Sequence, residues 1–160
     1  METKLIENAH QEDLDHIVDD LFRTMLATEV TPVAEYLPSD EALITAIIPF
    51  AGPWKGDLVL ECRRPQARYY AQRFLQIEDL DETSDDIPST LGELANIVAG
   101  NLKVVLPKGV TMGTPSLIEG KDYTVRVCGG RTVCCRSYST DVGSFLVRLI
   151  DGSTLVGEGQ

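Results

Sequence analysis

Ser89-Thr90-Leu91-Gly92-Glu93-Leu94-Ala95-Asn96-Ile97-Val98-Ala99-Gly100-Asn101 lies inside a run from Pro88 to Leu106 that Pro107 stops. The spacing predicts a helix over that run, because Pro is tolerated in a first turn and breaks a helix interior. With Leu91 set at 0° and about 100° per residue, Leu94, Ala95, Val98, Leu102 and Val105 fall within about 60° of it. They form the predicted core face. Ser89, Glu93, Asn96 and Gly100 gather on the opposite side, between about 140° and 200°, with Lys103 at its edge. An acid and an amide at i, i+3 therefore stand side by side on the predicted exposed face. Gly100 costs about 1 kcal/mol against Ala in a helix interior, so its presence asks for a close approach by another backbone or a partner. Read plainly, Glu93 could instead close a capping box from Thr90, and Asn96 could be an ordinary surface residue.

Working outward from this helix gives the fold class. On its N-terminal side, residues 78–86 place six acids in nine positions and read as a solvated connector. Before that, Pro65 to Leu75 predicts a helix buried through Ala67, Tyr70, Ala71 and Phe74. Ala42–Phe50 and Lys55–Cys62, separated by Gly52-Pro53, predict an antiparallel hairpin. Val30–Glu35 holds Pro32 and predicts a short edge strand. Leu14, Ile17, Val18, Leu21, Phe22 and Met25 mark one stripe of a first helix over residues 7–28. After Pro107 the period changes to alternation. Val110–Ile118, Tyr123–Cys128, Arg131–Tyr138 and Ser144–Ile150 read as strands, with Cys128-Gly129-Gly130-Arg131 as a tight turn. The expected fold is α/β, a mostly antiparallel sheet with long helices packed on one side. One domain over residues 1–160 is expected, with a frayed tail over 152–160.

Composition excludes several functions. The 160 residues carry 14 Lys plus Arg against 25 Asp plus Glu, a formal charge of −11. No dense basic run is available to neutralise a phosphate backbone or an anionic membrane, so neither nucleic acid nor membrane is an expected partner. The most apolar stretch, Ala42–Trp54, is broken by Pro49, Gly52 and Pro53, and a membrane span needs about 20 apolar residues. Met1 to Asp15 mixes charges and has no secretory signal pattern, which points to the cytoplasm. Cys62, Cys128, Cys134 and Cys135 make no CxxC pair and read as buried thiols. His10 and His16, six residues apart, cannot share a metal on one helix face, so no metal site is expected. An enzyme built from this chain needs neither a histidine base nor its own tight metal.

The motif resembles the signature of the CheC/CheX/FliY chemotaxis phosphatases: Asp or Ser, three residues, Glu, two residues, Asn. Ser89, Glu93 and Asn96 occupy those positions, and Gly100-Asn101 looks like the CheX branch. The similarity covers roughly residues 33–150 and includes one motif, as in CheX, where CheC carries two. Where relatives usually have a Pro beyond the motif helix, this chain has Glu119, and Pro115 stands as its equivalent after a shortened loop.

The resemblance implies an aspartyl-phosphate phosphatase acting on a phosphorylated CheY-like receiver domain. It implies that Asn96 aligns a water on the phosphoryl group and that Glu93 pairs with the regulator's active-site Lys. Ser89, Gly100 and Lys103 would be partner-binding. The Mg²⁺ would be supplied in the regulator, with no cofactor in this chain. A homodimer formed through the sheets is implied too, with Tyr123–Tyr138 as the presented edge. The alternative is a non-catalytic receiver-docking module using the same face. A scaffold domain with an accidental motif is the third reading. The acids of 78–86 adjoin the motif helix and suit steering toward a Lys-containing pocket.

Overall fold

A computed structural model describes residues 2–34 and 40–152, with side chains from His10 onward. The expected tail beyond Gly152 and the end of the expected Val30–Glu35 strand lie outside the described residues. The elements in chain order are α1 (Glu2–Met25), β1 (Thr31–Val33), β2 (Leu43–Ala51), β3 (Gly56–Arg63), α2 (Arg64–Leu75) and α3 (Asp86–Leu102). A 3-10 turn (Lys103–Val105) follows, then β4 (Thr111–Met112), β5 (Ser116–Gly120), β6 (Arg131–Thr140) and β7 (Gly143–Asp151).

The strands form one sheet in the order β1-β6-β7-β3-β2, with β4 and β5 both on the free side of β2. Every pairing is antiparallel. Alternation divides the sheet into two faces. Ile44, Ala46, Ile48, Leu58, Leu60, Phe145, Val147 and Leu149 share one face, all buried, and the three helices cover it. The hairpin β2–β3 and the second helix form as their patterns predict. Proline at position 32 sits in β1, an edge strand of three residues, where a missing N–H is tolerated.

Two devices fix α1 on the sheet. Leu14, Val18, Leu21 and Phe22 are buried as the stripe predicts. Phe22 stacks on Phe145 with centroids 4.7 Å apart and meets Tyr70 edge-on at 5.2 Å. Beside them, Arg136 donates two hydrogen bonds to Asp15, at 2.9 and 2.7 Å, and the Tyr138 hydroxyl adds a third at 2.7 Å. Burial and this contact with Asp15 together push the Tyr138 phenol well above its ordinary range. Met25 departs from expectation: it is 46% exposed, and Leu26, four residues after Phe22, takes the inner position.

The expected Tyr123–Cys128 strand is absent, and with it the expected hairpin to β6. This segment instead lies over the helix-free face of the sheet. The Tyr123 hydroxyl bonds Thr45 at 2.7 Å, and Arg148 donates to the Val125 carbonyl. The Gly-Gly pair does turn, with Gly130 N–H bonded to Val127 O at 2.9 Å. Tyr123, Val125 and Val127 are each half-buried while their neighbours are exposed. The alternation is real, but it is satisfied by laying one side of an extended segment on the sheet, with no ladder partner. The tight hairpin is β6–β7, closed where Thr140 pairs with Gly143 at φ 133°. Burial of the thiols also differs from expectation. Cys62 and Cys134 are buried, but Cys128 and Cys135 are exposed, since Cys134 and Cys135 point to opposite faces of β6.

Candidate functional site

The site is one face of α3, and its construction begins at the connector. Residues 78–86 are not simply solvated: α2 holds them in place. Arg64 donates to the carbonyls of Glu82 and Ser84, and Arg68 donates to Leu80 O at 2.7 Å. Arg64 also pairs with Glu119 of β5. Leu80 is buried beneath. The Asp81 carboxylate accepts the Thr83 hydroxyl and N–H, which holds it below the usual carboxylate range. The helix then starts at Asp86, whose N–H bonds the Ser84 hydroxyl at 3.1 Å. Asp85 and Asp86 thus sit at the positive end of the helix dipole, where negative charge is favoured.

This start removes the capping-box reading. Thr90 is 5% exposed inside the helix, and Glu93 lies two turns in, where every backbone donor already has a helical partner. Leu91, Leu94, Ala95, Val98 and Leu102 are buried against the sheet as predicted. Val105 is not. It is 44% exposed and lies in the 3-10 turn that follows the end of α3. Leu106, 6% exposed, replaces it.

On the outer face Ser89, Glu93, Gly100 and Lys103 are exposed and Asn96 is half-buried, as the helical wheel requires. Glu93 and Asn96 have Cβ atoms about 5–6 Å apart by helix geometry. Among the described residues, neither side chain makes a hydrogen bond or ion pair. Other acids of the surface are engaged: Asp141 with Arg73, Glu119 with Arg64, Asp20 with Arg23. The Glu93 carboxylate and the Asn96 amide are therefore free to meet an incoming group. Gly100 gives them room. A Cβ built on it would meet nothing nearer than Met112 Sδ at 4.0 Å, so no internal contact explains its small size.

Three neighbours of this face were invisible in the motif. Met112 lies beside Gly100, while Pro115 and Leu117 lie beside Gly92, whose added Cβ would stand 3.4 Å from Leu117 Cδ2 and 3.6 Å from Pro115. They arrive because β4 and β5 pair with β2, a long-range choice that leaves no local signal. Pro115, singled out as the stand-in for the family proline, does pack against the motif helix, and Glu119 is spent on Arg64. The exposed Asn101 side chain folds back on its own helix and donates to Ile97 O at 2.9 Å.

The face is open. A groove of about 530 Å³ is lined by Arg64, Arg68, Tyr69 and Ile87, and two smaller ones lie along α1 and near Asp141. None is lined by Ser89, Glu93, Asn96, Gly100 or Lys103. None of these grooves encloses a small substrate over the motif residues, whereas a macromolecule could bring its own cleft to the helix. Among the described residues no group of three or more His, Cys, Asp or Glu is placed to hold a metal ion, and no helix is long and apolar enough to cross a membrane.

Comparison with known proteins agrees with this geometry. Several solved structures share the fold. CheX from Vibrio vulnificus is 20% identical, covers 86% of this chain and 93% of its own, and superposes with a TM-score of 0.72. CheX from Desulfovibrio desulfuricans is 18% identical, with 88% and 97% coverage and a TM-score of 0.72. The CheX chain of a CheX-CheY-BeF3-Mg complex from Borrelia burgdorferi is 22% identical, with 88% and 95% coverage and a TM-score of 0.68. No curated protein matched the chain. The family model described as chemotaxis phosphatase CheX matches residues 44–138, which takes in the hairpin, α2, the whole motif helix and most of β6. That match spans more than half of the sequence, and the chain belongs to the CheX family.

Proposed function

We propose that this protein hydrolyses the aspartyl phosphate of a CheY-like receiver domain. The observation that carries the reading is the unpaired Glu93–Asn96 couple on an open helix face with Gly100 beneath it. Support comes from the family match and from a fold relative whose structure was determined bound to CheY with BeF3 and Mg.

The chemistry suits the residues. An acyl phosphate is already activated, and the charge on its transferring phosphoryl group is met by the regulator's own Mg²⁺ and Lys. The missing element is an aligned nucleophile. Asn96 enters the regulator's site, and its side-chain oxygen and amide hold a water in line with the phosphorus. Positioning of this kind can supply several kcal/mol without a general base. Glu93 pairs with the regulator's Lys and sets the register of the helix in the pocket. Ser89 adds a polar contact one turn toward the N-terminus, and Lys103 contacts the partner at the far end. In this reading the Mg²⁺ belongs to the regulator and the reaction needs no metal from this chain.

The test is the decay of phosphorylated receiver domains from the same genome, followed with and without the protein. Accelerated decay of at least one supports the reading. Tight binding of a phosphorylated receiver with no acceleration selects the non-catalytic docking module instead. Glu93→Ala is expected to raise KM for the phosphorylated receiver about tenfold or more, since an ion pair buried in an interface is lost. An unchanged KM in that variant would remove Glu93 from the contact.

The protein is further proposed to work as a homodimer joined through its sheets. With residues 123–128 outside the ladder, the edge on offer reduces to β6, whose outer side is covered by β1 only at Ser137–Ser139 among the described residues. Light scattering on a size-exclusion column should give twice the monomer mass, and a monomer at working concentration would refute the dimer.

A further inference from the structure

We propose that the C-terminal end of α3 carries a second contact patch, Val104 flanked by Lys103 and Val105, that selects the receiver domain. The patch seats an apolar, acid-rimmed part of the receiver surface next to the phosphorylated pocket. This inference rests on the function proposed above and names what discriminates among its partners.

Leu102 and Leu106 are 0% and 6% exposed, yet Val104 between them is 84% exposed and Val105 is 44% exposed. Val104 falls on the outer side of the wheel, about 220° from Leu91, and the change from α to 3-10 winding at Lys103, held by Leu106 N–H bonded to Lys103 O at 3.3 Å, keeps it there. Followed through that change, Val104 points within about 50° of Glu93 and lies about 17 Å along the same face. A stable interface covers about 800 Å² per partner, roughly 30 Å across, so one footprint centred near Asn96 reaches both ends. A receiver placed over Glu93 and Asn96 therefore covers Val104.

Charge says which surface it meets. The N-terminal half of the face carries Asp85, Asp86 and Glu93, and the C-terminal end carries Lys103. Among the described residues Lys103 forms no ion pair. The face is thus polarised along its length. A partner presents a cation over Glu93, and carboxylates around an apolar spot over Val104. Valines cannot discriminate by hydrogen bonding. They select by fit and by excluding charge from their centre.

The test compares the wild-type protein with Val104→Asp and Lys103→Glu on one phosphorylated receiver, measuring KM and kcat separately. Both side chains are exposed, and circular dichroism checks the fold. KM is expected to rise about tenfold in each variant, with kcat within about twofold of wild type. Titration of the same receiver carrying a phosphoryl analogue should show the same loss of affinity. An active wild type with an unchanged KM in Val104→Asp overturns the patch and leaves the proposed function standing. Loss of the homodimer in Val104→Asp also overturns it, because a second copy of this chain is then the occupant. A wild type that neither binds nor acts on any phosphorylated receiver overturns both.

Discussion

Replacing Asn96 with Ala should reduce the acceleration of receiver dephosphorylation by about a hundredfold or more, toward the receiver's own decay rate, because misaligning a reacting atom by about 1 Å already costs that much. The expected effect falls on kcat. Asn96 is half-buried and makes no hydrogen bond to any described residue, so its truncation leaves neither an unpaired buried group nor a cavity in the core. Stability should hold within about 0.5 kcal/mol, as for surface changes generally. Affinity for the receiver should also persist, because Glu93 and the rest of the face remain. Phosphate release under single turnover, beside a binding titration, separates the two. Full activity in Asn96→Ala would end the water-positioning mechanism.

The second large effect concerns stability. Phe22→Ala should cost about 3–5 kcal/mol, the usual range for deleting a fully buried aromatic ring. Phe22 is 2% exposed and sits where α1, α2 and the sheet meet, stacked on Phe145 and edge-on to Tyr70. Tyr138 stacks on Phe145 in turn, at 5.3 Å. Aromatic pairs of this geometry add about 0.5–1.5 kcal/mol beyond their area. Against a total of about 5–15 kcal/mol, this is a large share, and the melting midpoint should fall by about 10 °C. The motif face belongs to α3, so the molecules that remain folded should keep kcat. A loss below about 1 kcal/mol in chemical denaturation would show that α1 is not integral to the core.

The candidate face was legible because it is built by one element. Residues 89, 93, 96, 100 and 103 share a face through the rotation per residue of an α-helix, which depends on nothing outside the helix. Apolar residues at 91, 94, 95, 98 and 102 say which side faces inward. The stripe of α1 and the β2–β3 hairpin follow from the same kind of short-range geometry.

What escaped the sequence depends on distant partners. Tyr123 to Val127 has the alternation of a strand, but whether such a segment pairs in a ladder or lies across a sheet is decided by contacts with Thr45 and Arg148. Met112, Pro115 and Leu117 flank the motif through the pairing of β4 and β5 with β2. Val105 fits the helical stripe, yet α3 ends before it at Leu102 and the following turn leaves it 44% exposed. Asp15 reads as one acid among many until Arg136 and Tyr138, more than a hundred residues on, close around it. Local periodicity tells which residues share a face. Which face meets which, and which groups are left free to meet another protein, is settled only when the whole chain competes for the same contacts.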